Sequence, residues 1–305
     1  MARLGGRVAI VTGAGRGLGR AHALCMAAEG AAVVVNDVGA ELDGSGRSLT
    51  PADEVVAEIR AIGGRAAASG HDIADWTDAR RLVEFAVSTF GDLHVLVNNA
   101  GILRDRTLPN MSEDDWDAVI RVHLKGHAAP SRHAMAYWRD RAKGGQTVQA
   151  SVIHTSSIAG YLGSFGQANY SAAKLAVVAL SRVVQLEGAR YGVRSNVISP
   201  SARTRLTGGA PTTPTPAFDP RDPANVSPLV AWLATAECPA NGQYFQVYGS
   251  RLLVLSLPPI VHDLLNPGGR WTLEDLDREL PSRLISYPTV DEVLEDLRGR
   301  QAGLA

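Results

Sequence analysis

The sequence predicts an α/β fold, a doubly wound parallel sheet with helices on both faces. Short runs of apolar β-formers alternate with longer amphipathic stretches along most of the chain. That alternation is the pattern of parallel strands joined by crossover helices. A glycine-rich turn lies between the first strand and the first helix. With 305 residues, 45% hydrophobic and 20% charged, the chain can form one large packed domain of this class.

The elements follow in order. Residues 7–12 are an apolar run that ends in the glycine turn. A helix is expected over roughly Leu18–Glu29, closed by Gly30, then a strand at Ala32–Val35 that stops at Asn36-Asp37. The rhythm repeats with a helix at Pro51–Ile62, a strand at Ala66–Gly70, a helix at Asp75–Phe90 and a strand at Leu93–Val97. Two separate helices, Glu113–Leu124 and Ser131–Arg141, precede the strand Ser151–Thr155. A long helix carrying Tyr170 runs to about Gly188, and a strand follows at Ser195–Ile198. Tyr244–Tyr248 and Arg251–Leu255 are the last strand-like segments. Residues 207–225, rich in Thr, Pro and Gly, read as an exposed loop and the expected substrate lid. Residues 256–305 carry helix-like pieces at Leu273–Leu280 and Val290–Leu297 but are too short and polar to bury a core of their own. The expected layout is one domain, 1–255, with a C-terminal extension, 256–305. That extension could wrap a neighbouring subunit, cover the site or hang loosely.

Several function classes drop out. A net charge of −1 gives no electrostatic case for nucleic acid or an anionic membrane surface. No window approaches the roughly 18 apolar residues of a spanning helix, and Met1–Arg7 has no signal-peptide core, so a soluble cytoplasmic protein is expected. Cys25 and Cys238 suit neither a disulfide framework nor a metal site and read as buried thiols in a reducing compartment. No His/Cys/Asp/Glu cluster has metal-ligand spacing, so no metal is expected.

The glycine turn reads Thr12-Gly13-Ala-Gly-Arg16-Gly17-Leu18-Gly19. Gly13 and Gly17 can take turn conformations without a Cβ penalty, and Gly19 lets the helix approach the sheet. Backbone N–H groups at the helix start then suit a pyrophosphate. The spacing departs from the usual Gly-x-Gly-x-x-Gly, but its place after the first strand points to a Rossmann-type dinucleotide site. Asp37, eighteen residues beyond Gly19, ends the second strand. A carboxylate there can accept from both ribose hydroxyls and repels a 2′-phosphate, which favours NAD. Arg16 argues for NADP, since a guanidinium can hold that phosphate. The direct repulsion at Asp37 makes NAD the expected cofactor.

Tyr170 and Lys174, four apart on a helix, share one face. A free tyrosine has a pKa of about 10, and a fixed positive charge nearby lowers it. Such a tyrosine can take a proton from an alcohol or return one to a ketone. Ser157, thirteen residues before Tyr170, is the expected partner rather than Ser156.

With Thr12–Gly19, Asn98-Asn99-Ala100-Gly101, Ser157 and Tyr170-x-x-x-Lys174 in sequence order, the chain resembles the short-chain dehydrogenase/reductase family in its classical branch over about residues 5–255. The resemblance implies that Ser157 polarises the substrate oxygen, Tyr170 is the acid/base and Lys174 holds the nicotinamide ribose. It also implies that Asn99 steadies the central strands, that Ala100 and Gly101 border the cofactor, and that Asp72 and Ile73 flank the adenine. Thr204, after a shortened Pro200-Ser201 turn, would reach the carboxamide. A homodimer or homotetramer is implied too. His123 stands where the family usually has an asparagine that holds a relay water, and both a changed proton relay and a purely structural hydrogen bond remain open there.

Val34–Asp37, Gly101–Asp105 and Val122–Gly126 resemble more narrowly the dehydrogenase unit of the peroxisomal multifunctional enzymes, which implies a (3R)-hydroxyacyl-CoA thioester or, second, a steroid as substrate. Arg104, Asp105 and Arg106 read as a solvated charged loop, Trp116 and Trp138 as packing residues, and His154 as structural. The expected function is an NAD-dependent oxidoreductase acting between a secondary alcohol and a ketone. A non-catalytic dinucleotide-binding sensor or scaffold and an NADP-dependent steroid or ketone reductase are the alternatives.

Overall fold

The computed structural model describes residues 2–204, 218–256, 277–279, 281–283 and 288–302. Eight strands form one sheet: β1 (Val8–Thr12), β2 (Ala32–Asn36), β3 (Arg65–Ser69), β4 (Val95–Asn98), β5 (Ala150–Thr155), β6 (Val193–Ser201), β7 (Tyr244–Tyr248) and β8 (Arg251–Leu255). Their order is β3-β2-β1-β4-β5-β6-β7-β8, parallel except for β8, which pairs antiparallel with β7. The helices are α1 (Gly17–Ala28), α2 (Thr50–Ala61), α3 (Trp76–Phe90), α4 (Glu113–Ile120), α5 (Gly126–Lys143), α6 (Ile158–Leu162), α7 (Ala168–Gly188), α8 (Ser227–Leu233) and α9 (Val290–Ala302).

Two core layers follow from the two-residue period of the strands. Ala9, Val11, Val33 and Val35 pack against Met26 of α1, Ile59 of α2 and Leu233 of α8. Val8, Ile10, Ala32 and Val34 point the other way, towards Leu82 of α3, Trp138 of α5 and Val184 of α7. β1 and β2 are buried at every position, which is why they read as unbroken apolar runs.

The sequence reading has two separate helices, Glu113–Leu124 and Ser131–Arg141, but the chain runs continuously from α4 through a π-helical turn, Arg121–Lys125, into α5. Pro130 lies inside α5, where its missing N–H and the inserted π turn disrupt the 3.6-residue pattern. β6 also runs past its expected end, so Pro200-Ser201 is strand and not turn, in register with Val247 and Tyr248 of β7. β5 stops opposite Ile198, so the end of β6 has a neighbour on one side only, and an edge position tolerates proline. α6 and α8, at five and seven residues, are too short to show a period and have no counterpart in the sequence reading.

Most of the expected 207–225 loop lies outside the described residues. Its last part folds back, with a 3₁₀ turn at Pro223–Asn225 and an Arg203–Asp219 ion pair at 2.8 Å. The expected helix at Leu273–Leu280 also lies largely outside them. No described helix is long and apolar enough to cross a membrane.

Candidate active site

The strand order reverses direction between β1 and β4, which leaves a crevice beyond their C-terminal ends. A cleft of about 420 Å³ occupies it, within the range of small-molecule sites. Every residue assigned above to the cofactor or the chemistry lines this cleft, from Gly13 in the turn to Pro200 and Thr204 at the end of β6.

At one end the backbone has no room for side chains. Gly13 (φ 62°) and Gly17 (φ 53°) are in the left-handed region. A Cβ on Gly13 would lie 2.7 Å from Ala100 Cα, and one on Gly19 would lie 2.1 Å from the Gly13 oxygen. Asn99 Nδ2 donates to the Thr12 and Gly13 oxygens at 3.0 and 3.3 Å, which fastens β4 to the turn. Asp37 accepts from Gly15 N–H at 2.8 Å and Gly39 N–H at 2.7 Å, so the turn and the end of β2 hold its carboxylate in the cleft. Arg16 and Leu18 line the same end.

Asp72 is more occupied than the sequence suggests. Arg121 and Arg47 donate to its Oδ2 at 2.7 and 3.0 Å, and Ala74 N–H donates to Oδ1 at 2.9 Å. Burial works to raise its pKa, but the bonds from Arg121, Ala74 and Arg47 outweigh this and hold the carboxyl below its ordinary value. Both arginines line the cleft. They have no signal in the sequence, since they stand 49 and 25 residues from their partner. Ile73 is buried beside Gly126, where a Cβ would come within 2.8 Å of its Cδ1.

Ser157, Tyr170 and Lys174 converge at the other end. Ser157 is the N-cap of α6, and its Oγ accepts from Ala159 N–H at 3.2 Å. Ser156 is engaged elsewhere, donating to the Lys174 carbonyl at 2.7 Å, which ties the end of β5 to α7. Gly160 lets α6 sit directly on α7, where a Cβ would be 2.8 Å from Leu175 N. Asn169, fully buried, accepts from Tyr170 N–H at 2.7 Å and donates to the Arg104 and Asp115 carbonyls. It thereby sets the start of α7 and joins the 104–106 loop to the site. The 104–106 loop carries its charges at the surface as expected, with Asp105 and Arg106 exposed, while the loop itself is tied down: Asp105 accepts from Gln167 and Arg106 N–H donates to Gly166.

Lys174 is 2% exposed and its Nζ donates to the Thr155 carbonyl at 2.6 Å. Burial lowers its pKa to about 7. Tyr170 moves the opposite way from the sequence expectation. Burial raises its phenol to about 12, although a hydrogen bond with Ser157 works to lower it. The Lys174 ammonium lies over the Tyr170 ring, 5.5 Å from its centroid, and so faces the π surface rather than the phenolic oxygen.

His123, on the π turn, is 1% exposed, with its ring edge-on to Tyr170 at 5.1 Å. Its Nε2 bonds the Ile102 backbone at 2.8 Å, while Nδ1 is buried without a partner. Burial and then the Lys174 charge hold its pKa well below the usual histidine value. Behind Lys174, His127 stacks on His154 with centroids 5.5 Å apart, in contact with Asn98 and Ser131. Trp138 is buried and donates to the Leu93 carbonyl at 2.8 Å, as a packing residue should, whereas Trp116 lies at the surface, 38% exposed. Cys25 is only half-buried; both cysteines are free. Among the described residues no His/Cys/Asp/Glu group could hold a metal ion. Val290, Leu294 and Arg298 of α9 complete the cleft wall, residues that no sequence motif singled out.

Residues 7–210 match the short chain dehydrogenase family. The chain is 45% identical over 284 residues to the hydroxyacyl-CoA dehydrogenase ChsB1 of Mycobacterium tuberculosis, covering 91% of this chain and 88% of that one. It is 43% identical over 245 residues to mouse peroxisomal multifunctional enzyme type 2, covering 80% of this chain and 32% of that enzyme. A solved short chain dehydrogenase from Mycobacterium avium superposes with TM-score 0.84 at 49% identity, over 94% of this chain and 99% of that one. Another, from Burkholderia cenocepacia in complex with NADP, gives TM-score 0.69 at 27% identity over 80% and 97%.

Proposed function

The chain belongs to the short-chain dehydrogenase family, resembling the dehydrogenase unit of the multifunctional enzymes, and on that premise we propose that it interconverts a 3-hydroxyacyl thioester and its 3-oxo form with NAD. The observation that carries the reading is the convergence of Ser157, Tyr170 and Lys174 at the C-terminal edge of the sheet, in one cleft with the glycine turn. The intact triad speaks against a mere sensor or scaffold.

The glycine cradle fits a dinucleotide, because Cβ atoms at Gly13 or Gly19 would fill space where backbone and pyrophosphate approach. Asp37, Ala100, Gly101 and Thr204 would hold it along the cleft. A bound nicotinamide dinucleotide supplies the two-electron acceptor or donor. The protein supplies the proton path and the orientation. Ser157 Oγ would hold the substrate oxygen against Tyr170 Oη. In the reductive direction the Tyr170 phenol, protonated at neutral pH, gives its proton to that oxygen. In the oxidative direction the phenol must first give up its own proton, and the phenolate then takes the alcohol proton; a protonated Lys174 over the ring would favour that phenolate. Buried Nδ1 of His123 suits a water on the path from Lys174 to solvent, since buried polar atoms are ordinarily bonded. The Ile102 bond at its other nitrogen keeps the ring in place. Asp37 supports NAD. Arg16 in the same cleft supports the second reading, an NADP-dependent reductase. The free thiols suit a cytoplasmic setting. Exposed Leu175 and Leu186 on α7 and Leu252 and Val254 on β8 suit assembly into a dimer or tetramer.

Stopped assays with 3-hydroxybutyryl-CoA and either cofactor test the proposal. NAD-linked turnover that falls by about 10²–10⁴ in Tyr170→Phe is expected. Unchanged turnover in that variant would refute the acid/base, and a preference for NADP would refute the Asp37 argument.

A further inference from the structure

Three residues of α9 line the cleft: Val290, Leu294 and Arg298. They stand at i, i+4 and i+8, so one helical face presents two apolar side chains followed by a cation. Leu297, 4% exposed, is buried beside this face and anchors the helix. α9 packs against α6, whose N-cap is Ser157. The helix therefore borders the reacting end of the cleft and not the Asp72 end. Arg298 is exposed, with no hydrogen-bond or ion-pair partner among the described residues. Arg47 and Arg121, by contrast, are engaged on Asp72, and Arg16 stands at the glycine-turn end of the cleft.

We propose that α9 is the substrate-recognition wall of the site and that Arg298 binds an anionic group of the substrate, the phosphates of a CoA thioester. The proposal rests on the dehydrogenase reading above and adds the residue that selects the substrate. An apolar stretch ending in a free guanidinium suits a ligand whose reacting carbon is joined through an uncharged chain to an anion. A guanidinium matches phosphate geometry through paired N–H donors. A substrate carboxylate offers the same chemistry.

The test measures NADH-linked reduction of 3-oxobutyryl-CoA, of the phosphate-free 3-oxobutyryl-N-acetylcysteamine and of free 3-oxobutyrate, with the wild type, Arg298→Gln and Arg298→Lys. The expected result is a KM for the CoA thioester raised about tenfold in Arg298→Gln, a loss of about 1.4 kcal/mol, with kcat held within about twofold. Arg298→Lys should restore part of the affinity, as a charge without the paired donors, and the N-acetylcysteamine thioester should not distinguish the three proteins. A KM effect on free 3-oxobutyrate alone would make the anion a carboxylate and overturn the phosphate assignment. An unchanged KM for the CoA thioester in Arg298→Gln, with the wild type active, would overturn the Arg298 contact while leaving the dehydrogenase reading intact. A wild type that binds NADH but reduces none of the three would overturn the thioester reading and this contact together. Calorimetric NADH binding and the melting temperature should be the same in all three proteins, which separates a recognition role from a structural one.

Discussion

Burial leaves Lys174 one neutral partner, the Thr155 carbonyl, and lowers its pKa to about 7. An unfolded lysine holds its proton to about 10.4. Between those values the unfolded chain binds the extra proton, so stability rises with pH through that window and the burden is greatest at and below neutrality. Lys174→Met should therefore stabilise the protein by on the order of a few kcal/mol at pH 6. The gain should shrink steadily as pH rises from about 7 to 10.5. Urea unfolding across that range measures it, and a gain independent of pH would contradict the assignment. Tyr170 acts in the opposite sense above pH 10, where the folded phenol keeps a proton to about 12 that the unfolded one has lost. Near neutrality the two values leave the Tyr170 phenol protonated and Lys174 close to its midpoint, so it is the lysine that changes charge there.

At the scale of elements, the site depends on how closely α6 lies on α7. Gly160 sets that distance, since a Cβ there would press on Leu175 N and the Lys174 carbonyl carbon at 2.8 Å. Helix backbone cannot give way as a flexible side chain can. Gly160→Ala should cost about 1–3 kcal/mol, read as a lower melting temperature. It should also lower kcat more than it raises KM, because Ser157 and Tyr170 ride on the two separated helices. A kcat equal to wild type would show that the contact serves stability alone. The π turn between α4 and α5 is a second such device. It turns His123 inward against Tyr170, where a regular helix would rotate the following residues differently.

For the molecule as a whole, the notable burden is buried histidine. Burial holds His22 and His154 down to about 3, and His123 and His127 well below the ordinary value. Unfolded, each takes a proton as pH falls through about 6.5, while the folded chain does not. The unfolded state therefore binds more protons, and stability is lost as pH falls from about 6.5 towards 3. Unfolding at pH 5 should take up about four protons on this account. Calorimetry in buffers of different ionisation enthalpy measures that number, and an uptake near zero would contradict it.

The sequence by itself determined what is local. Strand runs, the helix alternation, the Thr12–Gly19 turn, Asp37 at a strand end and the Tyr170/Lys174 face all depend on backbone periodicity or on spacings within one turn or one βα unit, and the structure gathers them in one cleft. Tertiary structure decided what depends on distant partners. The arginines on Asp72, Asn169 tying the 104–106 loop and α4 to α7, and the α9 face beside Ser157 leave no local pattern, because their partners are brought together only by the folded sheet. It also reversed the expected direction for Tyr170. Spacing can place a cation four residues away, but only packing decides whether that charge meets the hydroxyl or the ring, and how much water is left to hold either charge.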